Sequence, residues 1–168
     1  MKPSAAAVHY PLTVYYDRAC PICATEMRTL VGLDVGQRLV LFDCSTGALD
    51  DACRAADLTS ADLLAAIHAR DADGRWFKGV DVFVAAYDAA GLTAIAAVFA
   101  HPRLRPAWDR LYPLVARHRE RLSRLRLHRL FALVPHRWLL ARARRVHAEA
   151  SRCVDGSCTV VRRGCSSR

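Results

Sequence analysis

The chain has 168 residues, 53% of them apolar and 8% aromatic, with a formal net charge of +9. That composition excludes wholesale disorder, and no run approaches the roughly 18 consecutive apolar residues that cross a bilayer. The charge is segregated: residues 1–100 carry 8 basic against 12 acidic side chains, whereas residues 101–147 carry 13 arginines against 2 acids. The length suits one domain with a sizeable core plus an appendage. Met1 to Pro11 lacks an apolar stretch of signal-peptide length, so a cytoplasmic location is expected.

In chain order, Leu12-Thr13-Val14-Tyr15-Tyr16 reads as a buried strand that breaks at Asp17. Cys20-Pro21-Ile22-Cys23 follows and opens a helix over Pro21–Leu33, with Ile22, Met27, Leu30 and Val31 expected in the core. Pro21 suits the first helical position, where its missing N–H has no intrahelical partner. A thiol at this junction faces unpaired backbone N–H groups and the positive end of the helix dipole, so it ionises readily. A two-residue spacing brings the second sulfur within reach of the first. This is the arrangement that thiol–disulfide exchange needs.

Arg38–Phe42 reads as a second strand, and residues 45–59 as a loop with a short helix. Thr59 or Ser60 can cap a helix over Ala61–Ala66, with Asp62 in its first turn. Ile67–Arg70 and Arg75–Lys78 flank Asp71-Ala72-Asp73-Gly74 as a hairpin. Gly79 leads into a helix over Val80–Ala90, with Val80, Phe83, Val84 and Tyr87 on one face; Gly91 ends it. A short apolar helix over Thr93–Ala100 stops before Pro102. The order β-α-β-α-β-β-α, with the dithiol after the first strand, predicts an α/β, thioredoxin-like three-layer domain.

Beyond Pro102 an arginine-rich helical extension is expected. Leu104, Trp108, Leu111, Tyr112 and Val115 fall on one helical face with arginines opposite, and Leu127, Leu130, Phe131, Val134 and Trp138 repeat the spacing. His118, His128, His136 and His147 show no ligand spacing and read as solvated. The last residues hold Cys153, Cys158 and Cys165 in a polar tail expected to be loosely ordered. Seven cysteines in all is an odd number, and Cys44 and Cys53, each alone in sequence, read as core residues.

The stretch Val14-Tyr15-Tyr16-Asp17-Arg18-Ala19-Cys20-Pro21-Ile22-Cys23 resembles the signature of the DCC-type thiol-disulfide oxidoreductases, which runs Tyr-Asp-Gly-x-Cys-Pro-x-Cys. The likeness continues through the 67–79 hairpin, Gly79-Val80-Asp81, and Tyr112 with Ala116-Arg117-His118-Arg119, covering about residues 12–121. It implies a thioredoxin-like fold and a protein-disulfide reductase type of activity. Two departures stand out. Arg18 replaces the usual glycine, so it either strains a positive φ or places a cation near the thiolate. No proline occurs between Pro21 and Pro102, so the cis-proline that normally faces a thioredoxin dithiol is missing.

These readings divide the chain into a thioredoxin-like domain (10–121), a basic helical extension (122–150) and a cysteine-containing tail (151–168). Cys20 is expected to act as nucleophile and Cys23 to resolve the mixed disulfide. Asp17 is expected either to relay a proton or to cap the loop. Trp76 and Phe77 belong to the hairpin face, with a substrate groove as the other reading. The partner is a disulfide-containing protein or a small thiol, and no cofactor or metal is required. An alternative is a structural zinc site formed by Cys20 and Cys23 with Cys153 and Cys158. The basic helices over 103–147 read as a solvated amphipathic pair packed on the domain, with an anionic membrane surface as the other reading, which would make the protein peripheral. Charge without a reading motif gives no ground for a specific nucleic acid.

Overall fold

The computed structural model describes residues 8–124, with side-chain surroundings as far as Arg119. The elements are β1 (Leu12–Tyr16), α1 (Pro21–Leu33), β2 (Leu39–Asp43), α2 (Asp51–Ala55), α3 (Ser60–Ala65), β3 (His68–Arg70), β4 (Trp76–Lys78), α4 (Val80–Ala89), α5 (Thr93–Ala100) and α6 (Arg105–Arg124). The sheet runs β2-β1-β3-β4. β1 pairs in parallel with β2, while β3 is antiparallel to both β1 and β4. This is the thioredoxin-like arrangement, in three layers. The stripe Leu127–Trp138 and the cysteines Cys153, Cys158 and Cys165 lie outside the described residues.

β1 is apolar on both faces because both faces are covered, as its near-continuous burial shows. Side chains alternate across a strand, so Leu12, Val14 and Tyr16 point opposite to Tyr15. Tyr15 packs with Cys44, Cys53 of α2 and Leu63 of α3, flanked by Phe42 and Trp76. Its hydroxyl donates to Asp50 Oδ2 at 2.7 Å, and Asp50 Oδ1 accepts the Cys53 N–H at 2.7 Å as the N-cap of α2. The other side of the strand meets α1 and α4, which bury Met27, Leu30, Val82 and Ala86. α3 begins on a capping box in which Thr59 and Asp62 exchange side-chain and backbone bonds.

Two faces differ from the sequence expectation. Val31 is 41% exposed instead of buried, and on α4 Val80 is buried as expected, together with Val82, Ala85, Ala86 and Ala89. Phe83 and Tyr87 sit half-buried, stacked on Phe99 of α5. On α6 the correction is larger. Trp108 and Tyr112 turn inward as expected, but Leu111 and Val115, with Leu104 just before the helix, are exposed, and Arg105, Ala116 and Arg119 complete the inward face. Trp108 packs on Phe99 and Tyr112 meets the edge of Phe83. Arg105 pairs with Asp81 at 2.6 Å and Asp109 at 2.8 Å. Apolar spacing identifies a helix face, but guanidinium groups go inward where carboxylates wait for them.

Gly79 is the glycine that the packing requires. It initiates α4 at φ 62° and ψ −123°, a region closed to L side chains, and a Cβ there would lie 3.2 Å from the Tyr112 ring. Gly32, in α1, has nothing within 4 Å of the same position. Gly79→Ala is therefore expected to destabilise the fold by about 1–3 kcal/mol, while Gly32→Ala stabilises it by about 0.5–1 kcal/mol. Urea denaturation of the two variants against the parent checks the opposite signs.

Candidate active site

The site is built where β1 gives way to α1. The chain leaves the sheet at Asp17, whose Oδ1 accepts the Ala19 N–H at 2.9 Å and whose carbonyl accepts the Cys20 N–H at 3.3 Å. Asp43, at the end of β2, accepts the Arg18 N–H at 3.3 Å together with the N–H and hydroxyl of Ser45. The Ser45 hydroxyl bond, with the two backbone bonds, holds the Asp43 carboxyl below its usual range. Arg18 needs no positive φ: among the described non-glycine residues only Gln37 and Asp57 adopt one. The strain of a positive φ therefore does not arise there, and its side chain is exposed.

Cys20 is the N-cap of α1 and Pro21 its first helical residue. The Cys23 thiol donates to Cys20 Sγ at 2.9 Å. That hydrogen bond is the largest influence lowering Cys20 from the ordinary 9.0 to about 6; burial opposes it, and the backbone N–H groups of Cys23 and Ile22 and the charge of Arg119 assist. Cys23 is pushed strongly upward, first by the same hydrogen bond and then by burial. The pair is thus polarised into a thiolate on Cys20 and a thiol on Cys23. Cys20 is 3% exposed, and Cys23 is the more open of the two residues.

Arg119 is the site residue that the sequence reading did not single out. It reaches Asp17 Oδ2 at 3.0 Å from α6, with the two side chains 17% and 13% exposed respectively. The charge of Arg119 is among the influences that lower Cys20, whereas the Arg18 side chain is exposed. The only sequence signal was its place beside Tyr112 in the family-like segment at the end of the domain. Tyr112 itself accepts the Ile67 N–H at 2.7 Å, at the entry to β3 where no proline is available. Burial raises the Tyr112 hydroxyl, and the nearby Cys23 adds to that. A groove of about 520 Å³ runs beside Tyr112, between α3, the start of α4 and α6.

The remaining described thiols are chemically quiet. Cys44 and Cys53 are fully buried, and burial is the first cause that pushes them up to about 12 and about 11. Among the described residues no three His, Cys, Asp or Glu side chains are placed to hold a metal ion. No helix among them is long and apolar enough to cross a membrane.

A vicinal dithiol at a helix N-terminus on a thioredoxin-like sheet defines a thiol-disulfide oxidoreductase. The chain belongs to the DCC1-like thiol-disulfide oxidoreductase family, whose model matches residues 14–125. No curated protein and no solved structure matches the chain.

The polarisation sets the pH dependence of the reactive thiol. Iodoacetamide labelling of Cys20, resolved by peptide mass spectrometry, is expected to rise through a midpoint near 6 instead of 9.0, because only the thiolate reacts. Cys44 and Cys53 remain unlabelled in the folded protein. A midpoint near the ordinary thiol value would contradict the polarised pair.

Proposed function

We propose that the protein reduces disulfides of proteins, or of small thiols in their oxidised form, through a mixed disulfide on Cys20. The observation that carries this reading is the 2.9 Å hydrogen bond from the Cys23 thiol to Cys20 Sγ at the N-terminus of α1. Such a pair stores a nucleophile and its resolving thiol together. Two thiolates on one tetrahedral zinc, each about 2.3 Å from the metal, lie about 3.8 Å apart, so the observed separation favours exchange over the zinc alternative. Cys153 and Cys158, which that alternative needs, lie outside the described residues.

The reaction proceeds in two displacements. Cys20 thiolate attacks one sulfur of the substrate disulfide; the S–S bond breaks and the other sulfur leaves as a thiolate that takes up a proton. Cys23 then loses its proton and attacks Cys20 Sγ, releasing the second substrate thiol and leaving a Cys20–Cys23 disulfide. Two electrons pass to the substrate, and a dithiol or low-molecular-weight thiol reductant restores the enzyme. Asp17 serves as the cap of the loop through the Ala19 N–H. Because Cys20 is buried, the substrate must displace the side chains around it. The working unit of this reading is the domain over residues 10–121, in the cytoplasm, with 122–150 and 151–168 as appendages.

Cys20→Ser is expected to abolish insulin-type disulfide reduction, and Cys23→Ser to accumulate a substrate mixed disulfide on Cys20 that a thiol reductant releases. If Cys20→Ser keeps its activity, or the trapped bond is found on another cysteine, the assignment of nucleophile fails. Stoichiometric zinc in active-site-competent protein without dithiol-dependent turnover would favour the metal reading.

A second reading concerns the outer surface of α6. Leu104, Leu111, Leu114 and Val115 are 42%, 47%, 56% and 40% exposed. Arg110 and Arg117 lie beside them and, among the described residues, pair with no carboxylate. An apolar row flanked by such arginines suits the headgroup boundary of an anionic membrane. Cosedimentation with phosphatidylglycerol vesicles is expected to exceed that with phosphatidylcholine, to fall with salt, and to weaken in Leu111→Ser/Leu114→Ser. Equal recovery on both lipids sinks the idea.

A further inference from the structure

We propose that Arg119 is a positioning residue of the dithiol: anchored on Asp17, its guanidinium holds a fixed positive charge at the Cys20–Cys23 pair and favours the thiolate of Cys20, making α6 a wall of the active site. The inference rests on the thiol–disulfide reading of the same site and assigns the setting of its redox balance to a residue about a hundred positions away in sequence.

The geometry carries it. Arg119 lies two helical turns beyond Tyr112 on the inward face of α6, and Tyr112 is already fixed against the site through the Ile67 N–H. The carboxylate that Arg119 grips belongs to the loop that delivers Cys20: one oxygen of Asp17 accepts the Ala19 N–H, the other meets Arg119 Nη2, and the Asp17 carbonyl accepts the Cys20 N–H. Both partners are largely shielded from solvent, so the field of the guanidinium is screened less than on the surface. Arginine stays protonated across the working pH range, so this charge does not switch off.

A largely buried ion pair gives little net stability after desolvation, and a hydrophobic contact would seat α6 as well. What it supplies here is two opposed charges beside the sulfurs. Arg119 favours ionisation of both thiols, and Asp17 opposes it at Cys23. Reduction of the Cys20–Cys23 disulfide takes two electrons and one proton, which rests on Cys23 while Cys20 carries the negative charge. Stabilising that charge favours the reduced form, so Arg119 raises the reduction potential and Asp17 moderates the rise. A tenfold change in the exchange constant corresponds to about 30 mV for this two-electron couple.

The test uses the full chain as Arg119→Gln, Arg119→Lys and Asp17→Asn, with two readouts: the pH profile of Cys20 alkylation resolved by peptide, and equilibration against a glutathione redox buffer. Arg119→Gln is expected to move the Cys20 midpoint upward and to make the potential more negative. Its alkylation at pH 5 then slows by about tenfold for every whole pH step by which the midpoint rises. Arg119→Lys retains most of the parent behaviour. Asp17→Asn keeps an acceptor for the Ala19 N–H yet removes the opposing charge, so its midpoint moves downward. A merely structural pair would move the two variants alike or not at all, and either result overturns the proposal. Should Arg119→Gln fail to fold, Arg119→Met is read in its place: a rise of the Cys20 midpoint supports the role, no change or a fall overturns it. Insulin reduction by the parent protein on the same samples tests the underlying reading separately, since the alkylation profile does not depend on turnover.

Discussion

The constraint on which the rest depends is that β1 is buried on both faces and flanked by strands on both edges, so the chain can leave it only at its end. Three residues of loop then deliver Cys20 to the N-cap of α1. The loop is held from three sides, by Asp17 within itself, by Asp43 at the end of β2 and by Arg119 from α6. A thiol placed there meets N–H groups that no helix residue can satisfy, and these assist the Cys23 thiol, whose hydrogen bond is the largest influence favouring the Cys20 anion. The dithiol is thus reactive because of where the sheet stops.

Four described thiols show how strongly environment governs one functional group. Cys20 and Cys23 share one hydrogen bond and are driven in opposite directions by it. Cys44 and Cys53, deeper in the molecule around Tyr15, are kept protonated by burial, and the Asp50 carboxylate adds to this at Cys53 although that residue sits in the first turn of α2. Burial alone protects a thiol, whereas burial beside aligned donors and a fixed positive charge activates it. The same distinction separates Asp43, whose carboxyl gains from donors, from a carboxyl merely placed at the surface.

The last described helix has divided surfaces. Its inward face holds the domain with Arg105, Trp108, Tyr112 and Arg119. Its outward face carries leucines and arginines that, among the described residues, meet no carboxylate. Tyr112 links the two regions of interest, because its ring closes over Gly79 while its hydroxyl takes the Ile67 N–H at the mouth of the site. That hydroxyl satisfies the backbone donor at the entry to β3. The groove beside Tyr112 is the neighbouring open space.

The strands, the helices of residues 12–100 and the position of the dithiol were legible in the sequence, because they follow from local rules. β1 is a β-rich apolar run, Pro21 marks a first helical turn, Thr59 and Asp62 form a capping box, and Asp73-Gly74 turns a hairpin. The composition also separated an acidic front from a basic back. The inward face of α6 was legible only at Trp108 and Tyr112, since apolar spacing also favours Leu104, Leu111 and Val115 and says nothing of carboxylates that other elements bring to Arg105 and Arg119. The helix-start position of Cys20 did suggest the direction of polarisation, but not that the Cys23 thiol itself and a guanidinium from α6 contribute to it. By itself the sequence determined that a dithiol sits at a strand-to-helix junction; tertiary structure alone decided which charges surround it, because Coulomb interactions depend on distance in space and not along the chain.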